Sequence, residues 1–159
     1  MSKNPFLKAP VRAVKAGRVK FGGGAPLALI AGPCVLENRA MAFDLAARLV
    51  ALARKENIPL VFKASYDKAN RTSGQAFRGP GLKVGLAILA AIKEKHGVPI
   101  LVDVHQVSEV QPAAEVADIL QLPAFLCRQT DLVVALGETI RLMGEVDEVI
   151  EAHGGWPVR

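Results

Sequence analysis

Four short apolar runs, separated by segments of helical periodicity, dominate this chain and restrict the folds it can adopt. The runs span residues 27–31, 60–65, 98–105 and 118–122. The helical patterns between them span residues 38–56, 82–95 and 108–116. Consecutive strands joined through helices need crossover connections and therefore build a parallel sheet. The pattern predicts an α/β fold, either a β/α barrel or a doubly wound open sheet.

Polar residues at or just after the end of each apolar run favour the barrel. They are Cys34, Lys63, Ser65, Asp103, His105 and Gln121. Because side chains alternate along a strand, Lys63 shares a face with Ser65, and Asp103 shares a face with His105. A barrel brings such residues together at the carboxyl ends of its strands, whereas an open sheet concentrates its site at one switch point. We therefore expect barrel geometry.

The Gly22-Gly23-Gly24 break and the change of pattern after residue 135 divide the chain into three parts. With 159 residues, 51% hydrophobic and 22% charged, it is expected to form one globular domain. Residues 1–24 read as an N-terminal extension with a possible hairpin, residues 25–135 as a partial β/α barrel and residues 136–159 as a tail. Gly97 is expected to end the second helix, and Ser108 to cap the third.

Charge and apolar patterning argue against membrane and nucleic-acid partners. No run approaches the ~20 apolar residues of a membrane span, and the cationic leader has no apolar core typical of a signal peptide. Its six cations are scattered among Val, Ala, Gly and Pro, and one aromatic residue between them, Phe6, does not make a base-stacking platform. We expect a cytoplasmic protein in which Cys34 and Cys127 are free thiols.

The segment that begins at Lys63 predicts an anion site. A lysine that interrupts a buried strand needs a partner, because an unpaired buried charge is costly. Lys68 follows as a second point charge, and Arg71 as a bidentate fork between Asn70 and Thr72. An exposed loop with ordinary surface charges is the alternative. No dinucleotide fingerprint or Walker motif is present, so side chains would have to bind phosphate.

Three further side chains leave alternatives open. Asp103 and His105 could form a general acid/base pair or orient a substrate hydroxyl, and Asp103 could instead only accept hydrogen bonds from a neighbouring strand. Cys34 could be a soft metal ligand or inert packing.

Five segments together resemble the 3-deoxy-D-manno-octulosonate 8-phosphate synthase family. They are Ala31-Gly-Pro-Cys-Val-Leu-Glu37, Phe62-Lys-Ala-Ser-Tyr-Asp-Lys-Ala-Asn-Arg-Thr72, Phe77-Arg-Gly-Pro-Gly-Leu82, Val102-Asp-Val-His105 and Leu122-Pro-Ala-Phe-Leu-Cys-Arg-Gln-Thr-Asp131. The resemblance implies a (β/α)8 TIM barrel, of which this chain holds about four units. It also implies condensation of phosphoenolpyruvate with arabinose 5-phosphate, on the route to the lipopolysaccharide inner core.

The resemblance assigns roles to the candidate residues. Lys63 and Lys68 would face phosphoenolpyruvate, with Gln121 and Ser65 also binding substrate. The sugar phosphate would be bound by Asn70, Arg71 and Thr72, with Asp103 and His105 in the same cavity. Arg128 looks like the arginine that this family lends to a neighbouring subunit, which implies a homo-oligomer. A cysteine at position 34 implies a divalent metal.

The chain departs from the family beyond residue 135. The tail reads as an acidic amphipathic helix, with an apolar stripe of Ile140, Met143, Val146, Val149 and Ile150. The family's remaining metal ligands have no matching positions, and a metal ion needs about four ligands. Two hypotheses follow: an active synthase assembled from half barrels, or a catalytically incomplete fragment. We expect the chain alone to be inactive. A seven-carbon sugar acid synthase is disfavoured by the Lys68-Ala-Asn-Arg71 loop.

Overall fold

The computed structural model describes residues 13–69 and 75–142, which form six strands and four α-helices. The strands are β1 (Val14–Ala16), β2 (Val19–Phe21), β3 (Leu29–Ala31), β4 (Leu60–Lys63), β5 (Ile100–Asp103) and β6 (Ile119–Gln121). The helices are α1 (Arg39–Lys55), α2 (Leu82–His96), α3 (Val107–Ala114) and α4 (Thr130–Leu142). A short 3-10 helix, Ala124–Leu126, precedes α4.

The main sheet confirms the predicted alternation of strand and helix. Its order is β3-β4-β5-β6, and every neighbouring pair is parallel. Sequential order without a reversal is the arrangement of barrel strands, whereas a doubly wound sheet reverses at its switch point. Strands β4 and β5 are shorter than the predicted runs 60–65 and 98–105, so that Ser65 and His105 lie just beyond them.

Each face of the main sheet has its own apolar cluster. The helix-facing cluster contains the fully buried Phe62, Ile100 and Val102, and all four helices contribute to it. The other cluster consists of Val19, Val61 and Leu101, joined by Phe21, Ala28 and Ile119. Because every described helix packs against one face, the other face corresponds to a barrel interior.

The interior face is partly covered by a hairpin formed by β1 and β2. These strands pair antiparallel and turn at Gly17, whose φ of 53° suits glycine. Val19 of the hairpin packs against Val61 and Leu101, each two residues before the polar end of its strand. The hairpin therefore covers the amino-terminal half of this face and leaves Lys63 and Asp103 beyond it.

Local capping explains where the helices begin and end. The Asn38 side chain accepts a hydrogen bond of 2.8 Å from the Met41 backbone N–H and begins α1. Gly97 ends α2 in the left-handed conformation, as predicted. The prediction for Ser108 was wrong, because Gln106 is the N-cap of α3 and Ser108 lies inside it. Glu109 reaches back to the His105 backbone N–H at 2.8 Å, which supports this earlier start.

The last described helix continues the core across residue 135. Leu132 and Leu136 of α4 belong to the main cluster, on either side of the predicted start of the tail. The side chain of Ile140 and the whole of Met143, Val146, Val149 and Ile150 lie outside the described residues. Within the described ranges, no helix is long and apolar enough to cross a membrane.

Candidate functional site

A buried carboxylate, Asp103, is the centre of a polar cluster at the carboxyl ends of β4 and β5. Only 5% of Asp103 is exposed. The Ser65 hydroxyl donates a hydrogen bond to the Asp103 Oδ1 atom, and Ser65 is fully buried. Because Asp103 ends β5 and Ser65 follows the neighbouring parallel strand β4, the sheet itself fixes their separation.

Two lysine ammonium groups converge on the same carboxylate. Lys63 Nζ lies 4.0 Å from Asp103 Oδ1, and Lys68 Nζ lies 3.8 Å from Oδ2. Lys68 also donates a 2.6 Å hydrogen bond to Ser65 Oγ. The two lysine side chains are only 28% and 17% exposed. A pair of cations on one carboxylate leaves positive charge that an anionic ligand can neutralise.

His105 lies between Asp103 and a second carboxylate, Glu109. Its Nε2 is 3.3 Å from Asp103 Oδ2, and its Nδ1 is 3.6 Å from Glu109 Oε2. Glu109 Oε2 also accepts a 2.6 Å hydrogen bond from the Tyr66 hydroxyl. The Tyr66 ring meets the imidazole edge-on, with 6.0 Å between the ring centroids.

These contacts shift the pKa values of the central residues. Burial opposes ionisation of Asp103, but hydrogen bonds from His105 and Ser65 and the two lysine charges outweigh it and lower its pKa to about 2. The hydrogen bond to Asp103 raises the pKa of His105, against the effect of burial, and the charge of Glu109 adds to the increase. Burial and the bond to Glu109 raise the pKa of Tyr66. The site therefore favours a carboxylate and an imidazolium in contact.

A returning segment fixes the start of the lysine loop. Arg78 binds Asp67 through two hydrogen bonds of 2.8 and 2.5 Å, and this bond lowers the pKa of Asp67. The Lys68 backbone N–H donates to the Arg78 carbonyl at 2.7 Å. A Cβ on Gly79 would lie 2.2 Å from the Tyr66 carbonyl oxygen, so this approach requires glycine.

The loop that carries Cys34 packs against the same strand end. The Leu36 backbone N–H donates to the Ser65 carbonyl at 2.9 Å. A Cβ on Gly32 would lie 1.9 Å from the Lys63 carbonyl oxygen. Cys34 itself is exposed and free, as is Cys127. This geometry brings the backbone of the Cys34 loop to the lysine cluster, while the thiol itself is exposed.

The described residues do not by themselves fit a metal centre. Across residues 13–69 and 75–142, no three His, Cys, Asp or Glu side chains are grouped to hold a metal ion. One thiolate falls short of the roughly four ligands that such ions take.

The remaining predicted site residues lie at the edge of the cluster or outside the described ranges. Gln121 is paired with Asp103 in the sheet register but is itself exposed. Arg128 is exposed and follows the 3-10 helix, and among the described residues no hydrogen bond or ion pair joins it to the cluster. Asn70, Arg71 and Thr72 are outside the described residues.

Sequence reasoning missed Tyr66, Glu109 and the Asp67–Arg78 pair. Tyr66 and Asp67 lie within the lysine segment, so their proximity to the site could have been anticipated. Glu109 is four residues after His105, the spacing of one helical turn, but the helix was expected to start later. The Arg78 contact joins residues eleven positions apart, one on each side of residues 70–74.

Comparison with known proteins identifies a family. Residues 8–144 match the family described as DAHP synthetase I. A 2-dehydro-3-deoxyphosphooctonate aldolase from Citrifermentans bemidjiense is 61% identical over 128 residues, which are 80% of this chain and 47% of that protein. Proteins of the same name from Geobacter sp. strain M21 and Granulibacter bethesdensis are 59% and 57% identical over 80% and 82% of this chain, and the matches cover 47% and 46% of those proteins. The chain spans about half the length of these curated relatives.

Proposed function

The chain belongs to the DAHP synthetase I family, whose fold is a (β/α)8 barrel, and from this membership we propose its reaction. It condenses phosphoenolpyruvate with D-arabinose 5-phosphate and water to give 3-deoxy-D-manno-octulosonate 8-phosphate and inorganic phosphate. This step serves lipopolysaccharide inner-core biosynthesis, and we expect it in the cytoplasm. The names of the 2-dehydro-3-deoxyphosphooctonate aldolase relatives support the proposal.

The convergence of Lys63 and Lys68 on Asp103 carries the proposal. Both substrates bear phosphate, and phosphoenolpyruvate also bears a carboxylate. Two ammonium groups within 4.0 Å of one carboxylate suit such anions, because an incoming oxyanion can take over part of their charge. Their partial burial strengthens the attraction relative to the same pair in water.

The chemistry requires charge stabilisation and proton transfer. The C3 atom of phosphoenolpyruvate forms a bond with the aldehyde carbon of the sugar, while the aldehyde oxygen gains a proton. Water adds at C2, and inorganic phosphate leaves. We assign Lys63 and Lys68 to the phosphoenolpyruvate charges, with Ser65 and Gln121 as further binding residues. His105, held as an imidazolium by Asp103, is a suitable proton donor within the same cluster.

The other assignments rest on the family match alone. Asn70, Arg71 and Thr72 would bind the sugar phosphate. Arg128 would reach the site of a neighbouring subunit, so that the active form would be a homo-oligomer. Cys34 would be one ligand of a divalent metal, with the other ligands contributed from outside the described residues.

The alternative is that this chain has no activity by itself. In the described sheet, β3 and β6 each have only one neighbouring strand, whereas a closed barrel leaves no strand with a free edge. Ile30 on β3 is 43% exposed, which is unusual for a residue on a barrel interior. These observations favour activity of the complete barrel over activity of this chain alone.

Phosphate release by the purified chain tests both proposals. The assay would contain phosphoenolpyruvate and arabinose 5-phosphate, after chelation and again after addition of a divalent metal. Erythrose 4-phosphate in place of arabinose 5-phosphate is the control for substrate class. Turnover with arabinose 5-phosphate supports the proposed reaction and rejects the inactive fragment. A folded chain without turnover supports the fragment, and turnover only with erythrose 4-phosphate rejects the proposed substrate.

A further inference from the structure

Glu109 contacts both Tyr66 and His105 at the edge of the site, and the proposed reaction gives Glu109 no role. Its carboxylate accepts a hydrogen bond from the Tyr66 hydroxyl at 2.6 Å and another from the His105 backbone N–H at 2.8 Å. Its side chain is only 13% exposed. Burial of a carboxylate is costly unless such bonds compensate it, so the pocket around Glu109 is built for that charge.

Glu109 also faces the ring of His105. The imidazole Nδ1 is buried and 3.6 Å from Glu109 Oε2, and among the described residues it has no hydrogen-bond partner. The opposite ring nitrogen faces Asp103 at 3.3 Å. The ring is therefore enclosed by two carboxylates, one from the end of β5 and one from the first turn of α3.

We propose that Glu109 is a positioning residue that keeps His105 as a cation beside Asp103. The imidazolium then offsets the charge of Asp103, and the ammonium groups of Lys63 and Lys68 stay available for an anion. With His105 protonated, the cluster has three cations, His105, Lys63 and Lys68, and two carboxylates. With His105 neutral, two cations face two carboxylates and the net charge of the cluster is zero. The inference rests on the proposed function only for the identity of the anion.

The charged groups around the ring act on it in opposite directions. Asp103 and Glu109 contact it, Asp67 adds a weaker attraction, and the Tyr66 hydroxyl is neutral. Lys63 and Lys68 repel the imidazolium from beyond Asp103, which is why a second carboxylate on the far side of the ring matters.

An NMR titration of the histidine ring tests the proposal without any need for turnover. Signals of His105 in the intact chain would be assigned with the variant His105→Gln. In Glu109→Gln, the amide oxygen can still accept from Tyr66 and from the His105 backbone, but the negative charge is gone. We expect the pKa of His105 to shift downward. The matched control is Glu115→Gln, which removes an exposed charge at the end of the same helix and should leave it unchanged.

Tyr66→Phe provides an independent variant in case Glu109→Gln fails to fold. Loss of the hydroxyl frees Glu109 Oε2 to accept from the imidazole, so the pKa of His105 should rise. General loosening of the site would instead move the pKa toward that of an exposed histidine in both variants. An unchanged pKa in Glu109→Gln, an equal shift in Glu115→Gln, or a lowered pKa in Tyr66→Phe overturns the proposal. Because the titration requires no substrate, failure of the proposed reaction leaves it intact.

Discussion

At the scale of single residues, the buried charge of Asp103 is compensated by the donor groups around it. Ser65, Lys63, Lys68 and His105 all direct donors at one carboxylate that is 5% exposed. Removal of one partner leaves the others in place, whereas removal of the carboxylate leaves three cationic groups together. Asp103 is therefore the residue whose ionisation connects the stability of the fold with the state of the site.

Ionisation of Asp103 should make the free energy of unfolding decrease at low pH. In the folded protein the pKa of Asp103 is about 2, below the ordinary value of 3.8. The stabilisation that ionised Asp103 gives to the folded state is therefore present above about pH 4 and is lost as pH falls through about 2. The difference corresponds to about 2 kcal/mol. Urea unfolding at several pH values should show a gap between the wild type and Asp103→Asn at neutral pH that narrows toward about pH 2. A gap of constant size would contradict this linkage.

The two partly buried lysines, Lys63 and Lys68, should control anion affinity. Lys68→Met removes the ammonium group of a side chain that is 17% exposed. Affinity for phosphoenolpyruvate, the proposed ligand, should fall about tenfold or more, the scale of one charged hydrogen bond. Lys63→Met should act in the same direction. Lys83→Met, on an exposed position of α2, is the control and should leave affinity unchanged. Calorimetric titration measures each, and equal affinities for Lys68→Met and Lys83→Met would refute the assignment.

At the scale of elements, glycines in helices show where backbone contact matters. A Cβ on Gly85 of α2 would lie 2.3 Å from the Tyr66 Cβ, which places α2 directly against the start of the lysine loop. A Cβ on Gly137 of α4 would meet nothing within 4 Å. The same residue type thus has a packing role in one helix and none that the structure shows in the other.

Alanine substitutions should separate these two glycines. Gly85→Ala should destabilise the protein by about 1–3 kcal/mol, because the added methyl group overpacks the contact with Tyr66. Gly137→Ala should stabilise it by up to about 1 kcal/mol through helix propensity. Thermal or urea unfolding measures both changes. Equal effects of the two substitutions would mean that α2 can move away from Tyr66 at little cost.

Much of the element order could be read from sequence, because strand and helix patterns are local. The helix boundaries at Asn38 and Gly97 depend on contacts within a single helical turn, and the structure places both residues as caps. Ser108 looked equally suitable as a cap, yet the hydrogen bond that the His105 backbone N–H donates to the Glu109 carboxylate favours an earlier start. The Glu109–Tyr66 contact joins residues 43 positions apart, so no local pattern could reveal it.

At the scale of the whole molecule, the described sheet has two free edges and an interior face that is only partly covered. The hairpin covers Val61 and Leu101, while Ile30 on β3 is 43% exposed and Leu27 before it is 90% exposed. Free edges with apolar neighbours promote association of chains. We expect this part of the molecule to be where another polypeptide segment or a second copy packs.

A charge on β3 should weaken self-association. Ile30→Lys places an ammonium group on the free-edge strand, and sedimentation velocity should show a smaller associated fraction than in the wild type. Leu52→Lys is the control, because Leu52 is similarly apolar and 51% exposed but lies on α1. If both variants associate to the same extent as the wild type, β3 does not form the contact.

The paired hydrogen bonds between Arg78 and Asp67 bear on which length changes this protein can tolerate over evolutionary time. The backbone bond from Lys68 to Arg78 and the close approach of Gly79 to Tyr66 tie the two flanks of the lysine loop together. Insertions or deletions between those flanks therefore leave the frame that orients Lys68 in place. A lineage could therefore vary the number of residues between the two flanks while it keeps Lys68 beside Ser65 and Asp103.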